Sequence, residues 1–327
     1  MRTLVTGGTG FIGSHLVERL RERGEDVLAV ARDDRYGDVV RRAGVPVVLA
    51  DLNNGVSWDR LLDGVTAIYH VAGVTRCRTS REYYEGNADS TKHLLEMCRR
   101  FGSSLRRFVY VSSLTATGPS LDGTPLVEEA PYHPVSDYGR SKMLAEMEVL
   151  RMEDVFPTTI VRPCAVYGPR DRDMYAYICL IKKGIEPLIG FHDKFLSLIH
   201  VDDLIEGILL AGSSRASIGR TYFIASECAY SYHEIGATIG RVLQCHPHCI
   251  RLPHALVYCI GAVVEGVGKI THQNVFFNLG KVKESIQPGW VCSVERAKAE
   301  LGFQQHIDLE EGMRKTCCWY RDHGWLS

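Results

Sequence analysis

Thr3-Leu4-Val5-Thr6-Gly7-Gly8-Thr9-Gly10-Phe11-Ile12-Gly13 opens the chain with an apolar run, a turn dense in glycine and the first apolar positions of a helix. Residues 3–7 read as a buried strand, and residues 14–23 as a helix stopped by Gly24. Glycine at 7, 10 and 13 permits a tight turn, close approach of backbone to a pyrophosphate, and close packing of helix on strand. The helix start then offers free N–H groups and a partial positive charge to phosphate oxygens. A glycine triplet alone carries little information. Its place between a strand and a helix identifies a dinucleotide-binding turn.

The same alternation continues outward. Apolar runs at 26–32, 46–51, 67–72, 107–112 and 158–163 are continuous rather than alternating, as strands covered on both faces require. Helical stretches at 89–100 and 138–152 lie between them, and 222–226 reads as a late strand of the same sheet. The pattern predicts an α/β fold: a doubly wound parallel Rossmann sheet with a smaller C-terminal substrate domain. The expected division is 1–163 plus about 196–226 for the dinucleotide-binding domain. The substrate domain then takes about 164–195 plus 227–327, and the stretch 200–210 packs back on the sheet. No internal repeat or low-complexity linker interrupts the 327 residues.

Composition narrows the partners. Apolar residues make up 45% and charged residues 24%, an ordinary globular balance. Lys plus Arg (38) nearly equals Asp plus Glu (39), with no block of one sign, so no electrostatic footprint for nucleic acid is present. The most apolar segment, 255–267, is too short for a membrane span and carries Glu265. It predicts a helix that buries one side, over a ligand. Eleven scattered cysteines and no secretory leader predict reduced thiols and a cytoplasmic location.

The second strand ends Val30-Ala31-Arg32, without the acid that commonly holds a ribose 2′-hydroxyl. Arg32 is suited to a 2′-phosphate, which favours NADP(H) over NAD(H). The other reading leaves Arg32 solvated and gives the ribose to Asp33 or Asp34. Asp51 and Leu52, after the third strand, are placed beside the adenine. Val71, Ala72 and Gly73 end the fourth strand with small residues where a cofactor crosses the sheet edge. In Tyr138-Gly139-Arg140-Ser141-Lys142 the phenol and ammonium lie one helical turn apart. A cation beside a phenol lowers its pKa toward the range of a useful proton donor or acceptor. Ser113, ending Val109-Tyr110-Val111-Ser112-Ser113, sits at the ligand-binding end of its strand and is placed to hold a substrate oxygen.

Together these pieces resemble the extended short-chain dehydrogenase/reductases, a group of nucleotide-sugar epimerases, dehydratases, and 3β-hydroxysteroid dehydrogenase and dihydroflavonol reductase types. The likeness runs over TGGTGFIG at 6–13, Asp51-Leu52, HVAG at 70–73, Asn87, VSS at 111–113 and YGRSK at 138–142. It continues through Arg162-Pro163, YGP at 167–169, IHVDD at 199–203, AELGF at 299–303 and Trp319-Tyr320. The resemblance implies an NAD(P)-dependent enzyme with Ser113, Tyr138 and Lys142 catalytic. Gly7, Gly10, Phe11, Ile12, Gly13, Asn87 and Pro163 join the cofactor contacts, and Lys142 binds the ribose. It also implies a homodimer through helices near 89–101 and 138–152.

Departures from the family pattern select among reactions. Ser113 is followed by Leu114-Thr115, where dehydratases carry acids, so elimination of water is not expected. Lys194 to Leu198 lacks the arginine with which sugar-nucleotide epimerases grip a diphosphate. The leading reading is hydride transfer with a lipophilic secondary alcohol or ketone. A nucleotide-sugar 4-epimerase using the same three residues is the alternative. A non-catalytic dinucleotide sensor, the third reading, would not need Ser113, Tyr138 and Lys142 together. Cys245-His246-Pro247-His248-Cys249 has ligand pairs too close for a usual zinc clamp and no second pair nearby in sequence, so no metal is expected.

Overall fold

Thirteen strands appear among the described residues of the computed structural model, which are 2–53, 57–271 and 277–326. Those of the first half are β1 (Arg2–Thr6), β2 (Asp26–Ala31), β3 (Val47–Leu49), β4 (Val65–His70), β5 (Arg107–Val111) and β6 (Thr158–Pro163). They continue with β7 (Ala165–Tyr167), β8 (Ile185–Ile189), β9 (Phe195–His200), β10 (Arg220–Ile224), β11 (Ala229–Ser231), β12 (His248–Leu252) and β13 (Gly289–Trp290).

Seven strands form one sheet in the order β10-β6-β5-β4-β1-β2-β3, and every pairing is parallel. Both faces are covered. Val5 packs with Leu16, Leu20, Leu204 and Ile208 on one side, while its neighbour Leu4 packs with Leu94, Leu95, Ala145 and Val149 on the other. This two-sided burial is why the strand runs are continuously apolar. The third strand is shorter than the expected 46–51 because it is the sheet edge, with Leu49 53% exposed. Strand order reverses between β1 and β4, so the crevice for a ligand opens above their C-terminal ends.

After Pro163 the chain forms more regular structure than its sequence suggests. β9 pairs with β11 and β13 through its first half and with β7 through its second, and β8 pairs with β12. The helix Val201–Ser213 packs back on the large sheet, as expected. The apolar segment near 255–267 is the helix His254–Thr271. Only a narrow side is buried, through Val257, Gly261 and Gly268. Leu256, Ile260, Val263, Val267 and Ile270 are exposed on it. None of the described helices is long and apolar enough to cross a membrane.

Candidate active site

The glycine turn stands at the switch point. Gly7 has φ +69°, and a Cβ there would lie 2.8 Å from the Ala72 backbone, so β1 and β4 approach closely only because residue 7 is glycine. Its N–H bonds Val30 O at 2.7 Å, and the Gly10 N–H bonds Gly7 O at 2.9 Å. A side chain on Gly13 would run into the Gly7 carbonyl. Gly10 caps the helix Phe11–Glu22 without a side-chain bond, and the first turn holds no acid. Those N–H groups therefore face the crevice ready for an anion, which fits a dinucleotide pyrophosphate. Phe11 and Ile12 are half-buried against the core beneath.

Around this turn the other expected cofactor residues gather unevenly. Arg32 is exposed at the end of β2 and makes no ion pair among the described residues, whereas Asp33 pairs with Arg35 and Asp34 with Arg41. Asp51 is exposed, its carboxylate accepting from the Asn53 N–H, and Leu52 beside it is buried. Gly73 follows half-buried Val71 and Ala72. A Cβ on Gly73 would lie 3.0 Å from the Asn87 amide oxygen and 3.6 Å from Lys142 Nζ. Asn87 is buried in the π-helical turn Tyr84–Asp89, an irregularity that sequence periodicity does not reveal. Its amide accepts from Val74 N at 2.7 Å and donates to Ser141 Oγ at 2.9 Å, tying the β4 loop to the helix Asp137–Leu150. Pro163 ends β6 in register with Ile224.

Of the three residues expected to be catalytic, Ser113 and Tyr138 line one cavity, and Lys142 lies on the same helix as Tyr138. Ser113 ends the β5 segment, caps the short helix Leu114–Thr117 and accepts from the Thr115 hydroxyl at 2.8 Å. Burial pushes the Tyr138 phenol up to about 12, against the opposing pull of Ser113 and Lys281. Lys142 is buried, and loss of hydration brings its ammonium down to about 7, with Glu146 opposing. Its Nζ donates to Val111 O at 2.8 Å and lies 4.6 Å from the Tyr110 ring centre. The two-residue logic of the helix face is thus incomplete: the ammonium is held by the strand floor as well as by its helix.

A cavity of about 490 Å³ opens above this floor, lined by Ser113, Tyr138, Tyr83, Tyr232, Leu196 and Trp290 among others. Its roof comes from the helix Leu279–Ser285, where Lys281 pairs with Glu284 at 3.0 Å. Glu284 is buried and accepts from Ser136 Oγ at 2.6 Å, and Ser136 caps the Tyr138 helix. Asn278, Lys281 and Glu284 carry no motif, and sequence reading misses them. Lys194, which opens the stretch that lacks the diphosphate-gripping arginine, is buried and donates to Ser285 O at 2.9 Å; burial brings it down to about 8. Of the apolar stretch 195–198, Leu196 lines the cavity and Phe195 is exposed. The helix His254–Thr271 reaches the cavity through Glu265, while its apolar row faces outward. His200 caps the helix Val201–Ser213 by accepting from Asp202 N, the structural role its position suggests.

A parallel doubly wound sheet, an anion-ready glycine turn at its switch point and a Ser-Tyr-Lys floor define a nicotinamide-dependent enzyme of the extended short-chain dehydrogenase/reductase type. The NAD dependent epimerase/dehydratase family model matches residues 3–225, and the chain belongs to that family. It is 37% identical over 344 residues to sterol demethylase protein B of Methylococcus capsulatus, covering 100% of both chains. It is 30% identical over 330 residues to a ceramide reductase of Caulobacter vibrioides, covering 98% of this chain and 95% of that one. Among solved structures it resembles MoeE5 in complex with UDP-glucose and NAD, with a TM-score of 0.78, 25% identity and 99% of each chain covered. Reductases and epimerases thus both stand among its relatives, and oxidoreductase and 4-epimerase chemistry both fit the site.

Proposed function

We propose that this enzyme moves a hydride between a nicotinamide cofactor and a lipophilic secondary alcohol or ketone. The observation that carries the reading is the meeting of Ser113 and Tyr138 in one cavity whose wall includes Leu196, Leu279 and Trp290. The relatives named for ceramide reduction and sterol demethylation support a lipid substrate. So does the apolar row on the helix that borders the cavity, a surface compatible with a substrate that lives in lipid.

When bound, the nicotinamide supplies or accepts the hydride. Gly7, Gly10, Phe11, Ile12 and Gly13 would hold the pyrophosphate. Asp51 and Leu52 would flank the adenine, with Val71, Ala72, Gly73, Asn87 and Pro163 along the rest of the cofactor. Ser113 holds the substrate oxygen, and Tyr138 gives that oxygen its proton in reduction or removes it in oxidation. With its pKa raised, the phenol carries its proton at neutral pH and is primed for the reductive direction. Lys142 would bind the ribose and, one helical turn from Tyr138, would as a cation ease formation of the phenolate in the oxidative direction. Arg32, exposed and without an ion pair among the described residues, favours NADP(H) over NAD(H). The arrangement further supports two lobes, 1–163 plus about 196–226 and about 164–195 plus 227–327. Eleven free thiols support a cytoplasmic setting, and a homodimer would form through helices near 89–101 and 138–152.

The 4-epimerase remains the second reading because Lys281 and Lys283 line the cavity, where a diphosphate would need cations. The deciding experiment is binding of NADPH and NADH, followed by cofactor absorbance with long-chain and polycyclic ketones and with UDP-sugars. Net cofactor oxidation by a lipophilic ketone supports the proposal. Conversion of a UDP-sugar with no net cofactor change overturns it.

A further inference from the structure

The strongest unassigned chemistry lies away from the cofactor crevice, on the β8–β12 ribbon. Parallel pairing sets Cys249 directly beside Glu186, so both side chains leave the same face of the ribbon. The helix Tyr232–Leu243 packs on that face and brings His233 in its first turn. His233 Nδ1 lies 3.0 and 3.3 Å from the two Glu186 oxygens, Cys249 Sγ lies 2.8 Å from one of them, and Sγ to Nδ1 is 3.4 Å. Gly236, one turn on from His233, leaves the space the carboxylate occupies, since a Cβ there would come within 2.7 Å of Glu186 Cδ.

Glu186 is almost wholly buried, its side chain 1% exposed. Among the described residues its ion-pair partner is His233, which is a cation only when protonated. A buried carboxylate is costly without a compensating charge. The thiol of Cys249 donates to it, and that bond pushes the thiol up to about 11. Nearby, the Tyr177 hydroxyl is buried with no hydrogen-bond partner among the described residues, and the Glu186 and Cys249 charges act on it. One sulfur, one imidazole nitrogen and one carboxylate oxygen therefore converge from three separate elements.

We propose that Glu186, His233 and Cys249 form a binding site for a thiophilic divalent cation of the zinc class. Tetrahedral bonds of about 2.0–2.3 Å place ligand atoms roughly 3.4–3.6 Å apart. The Cys249–His233 separation of 3.4 Å already fits, and the 2.8 Å from Cys249 Sγ to Glu186 must open by roughly 0.6–0.8 Å, which the exposed Cys249 and His233 side chains can accommodate. The cation replaces the thiol proton, which goes to solvent: Cys–SH plus M²⁺ gives Cys–S–M⁺ plus H⁺. His233 and Cys249 keep the solvent side open, so water completes the coordination. The bound ion ties β8, β12 and the helix Tyr232–Leu243 together. His248 alternates to the other face of β12 and takes no part. This site does not depend on which reaction the Ser-Tyr-Lys floor performs.

Cobalt(II) titration of the full untagged chain, with a phosphine reductant, tests the proposal. The expected result is one equivalent of cobalt with tetrahedral visible bands and a thiolate charge-transfer band, all displaced by zinc. Cys249→Ser should abolish the charge-transfer band, and His233→Ala should weaken binding at least about ten-fold. Cys228→Ser, a second exposed cysteine elsewhere, should leave the spectrum unchanged. Zinc should also raise the melting temperature of the parent chain in a concentration-dependent way, and not that of Cys249→Ser. Absence of a thiolate band, or a band that survives Cys249→Ser, overturns the site. Both ligands being exposed, the variants should fold, and an unchanged circular dichroism spectrum verifies it.

Discussion

Glu146→Met should be among the most destabilising single substitutions in the molecule. The side chains of Glu146 and Arg162 are 0% and 4% exposed, and the guanidinium donates to the carboxylate through Nη2 at 2.7 Å and Nε at 3.0 Å. Tyr132 donates to the same carboxylate at 2.7 Å, and Arg162 makes further bonds to Glu128 O and the Tyr132 hydroxyl. Removing the carboxylate leaves a buried guanidinium without its counter-charge, a loss of about 3–5 kcal/mol. In a large chain each kcal/mol moves the melting temperature by about 2 °C, so the midpoint should fall by about 6–10 °C. The double variant Glu146→Met/Arg162→Met removes both charges and should recover much of the loss, because apolar replacements spare the desolvation of the pair. Urea unfolding followed by circular dichroism reads both. A Glu146→Met loss under about 1 kcal/mol, or a double variant that simply sums the singles, would show that the pair is solvated and refute the reasoning.

Tyr138→Phe removes the proton donor and keeps the ring, so turnover should collapse by at least about 100-fold while cofactor affinity stays near that of the parent; near-normal kcat would sink the assigned role. Arg32→Ala should weaken NADPH binding at least about ten-fold and leave NADH binding nearly unchanged, as read by fluorescence titration; equal losses would remove the 2′-phosphate argument. Lys142→Met should change how stability depends on pH. The ammonium is lowered to about 7 when folded, against about 10.4 unfolded, so the unfolded chain binds the extra proton between those values. Its burial cost is therefore felt fully below pH 7 and is relieved as pH rises. Stability of the parent relative to the variant should climb by at most about 1.4 kcal/mol per pH unit over that window. A flat difference from pH 7 to 10 would mean that the ammonium is hydrated.

The readable part of this molecule is the part whose physics is local. The glycine turn at 6–13, the apolar runs of β1 to β6 and the one-turn spacing of Tyr138 and Lys142 all declare themselves within a few residues. Their register then follows from sheet topology. What sequence reading misses is made by long-range contact. The expected helix at 89–100 starts behind a π-helical turn that carries Asn87, a distortion with no periodic signature. The helix His254–Thr271 was expected to bury an apolar side over a ligand; its apolar row faces outward instead, since the small residues Gly261 and Gly268 make the inward contact. Cys249 looks like half of an adjacent Cys-His motif, yet its partners come from positions 63 and 16 residues away.

Ser136 shows how one small side chain joins the two halves of the site. Its Oγ accepts from the Gly139 N–H at 3.0 Å, capping the helix that carries Tyr138, and donates to Glu284 at 2.6 Å in the roof. Ser136→Ala removes the cap, worth about 1 kcal/mol, and leaves the buried Glu284 carboxylate short of one donor, worth about 1–3 kcal/mol. Lys281 still pairs with Glu284, so the roof helix should stay folded while its grip on the floor loosens. Because the roof bounds the substrate and the cap orients only the first turn of the Tyr138 helix, the effect should fall on KM more than on kcat. Ser136→Thr keeps a hydroxyl that can both accept and donate, and should restore KM. If Ser136→Ala lowered kcat alone and Ser136→Thr failed to restore the parent behaviour, the roof and the floor would be energetically separate. The cavity would then owe its shape to the packing of Trp290 and Leu196 rather than to this bond.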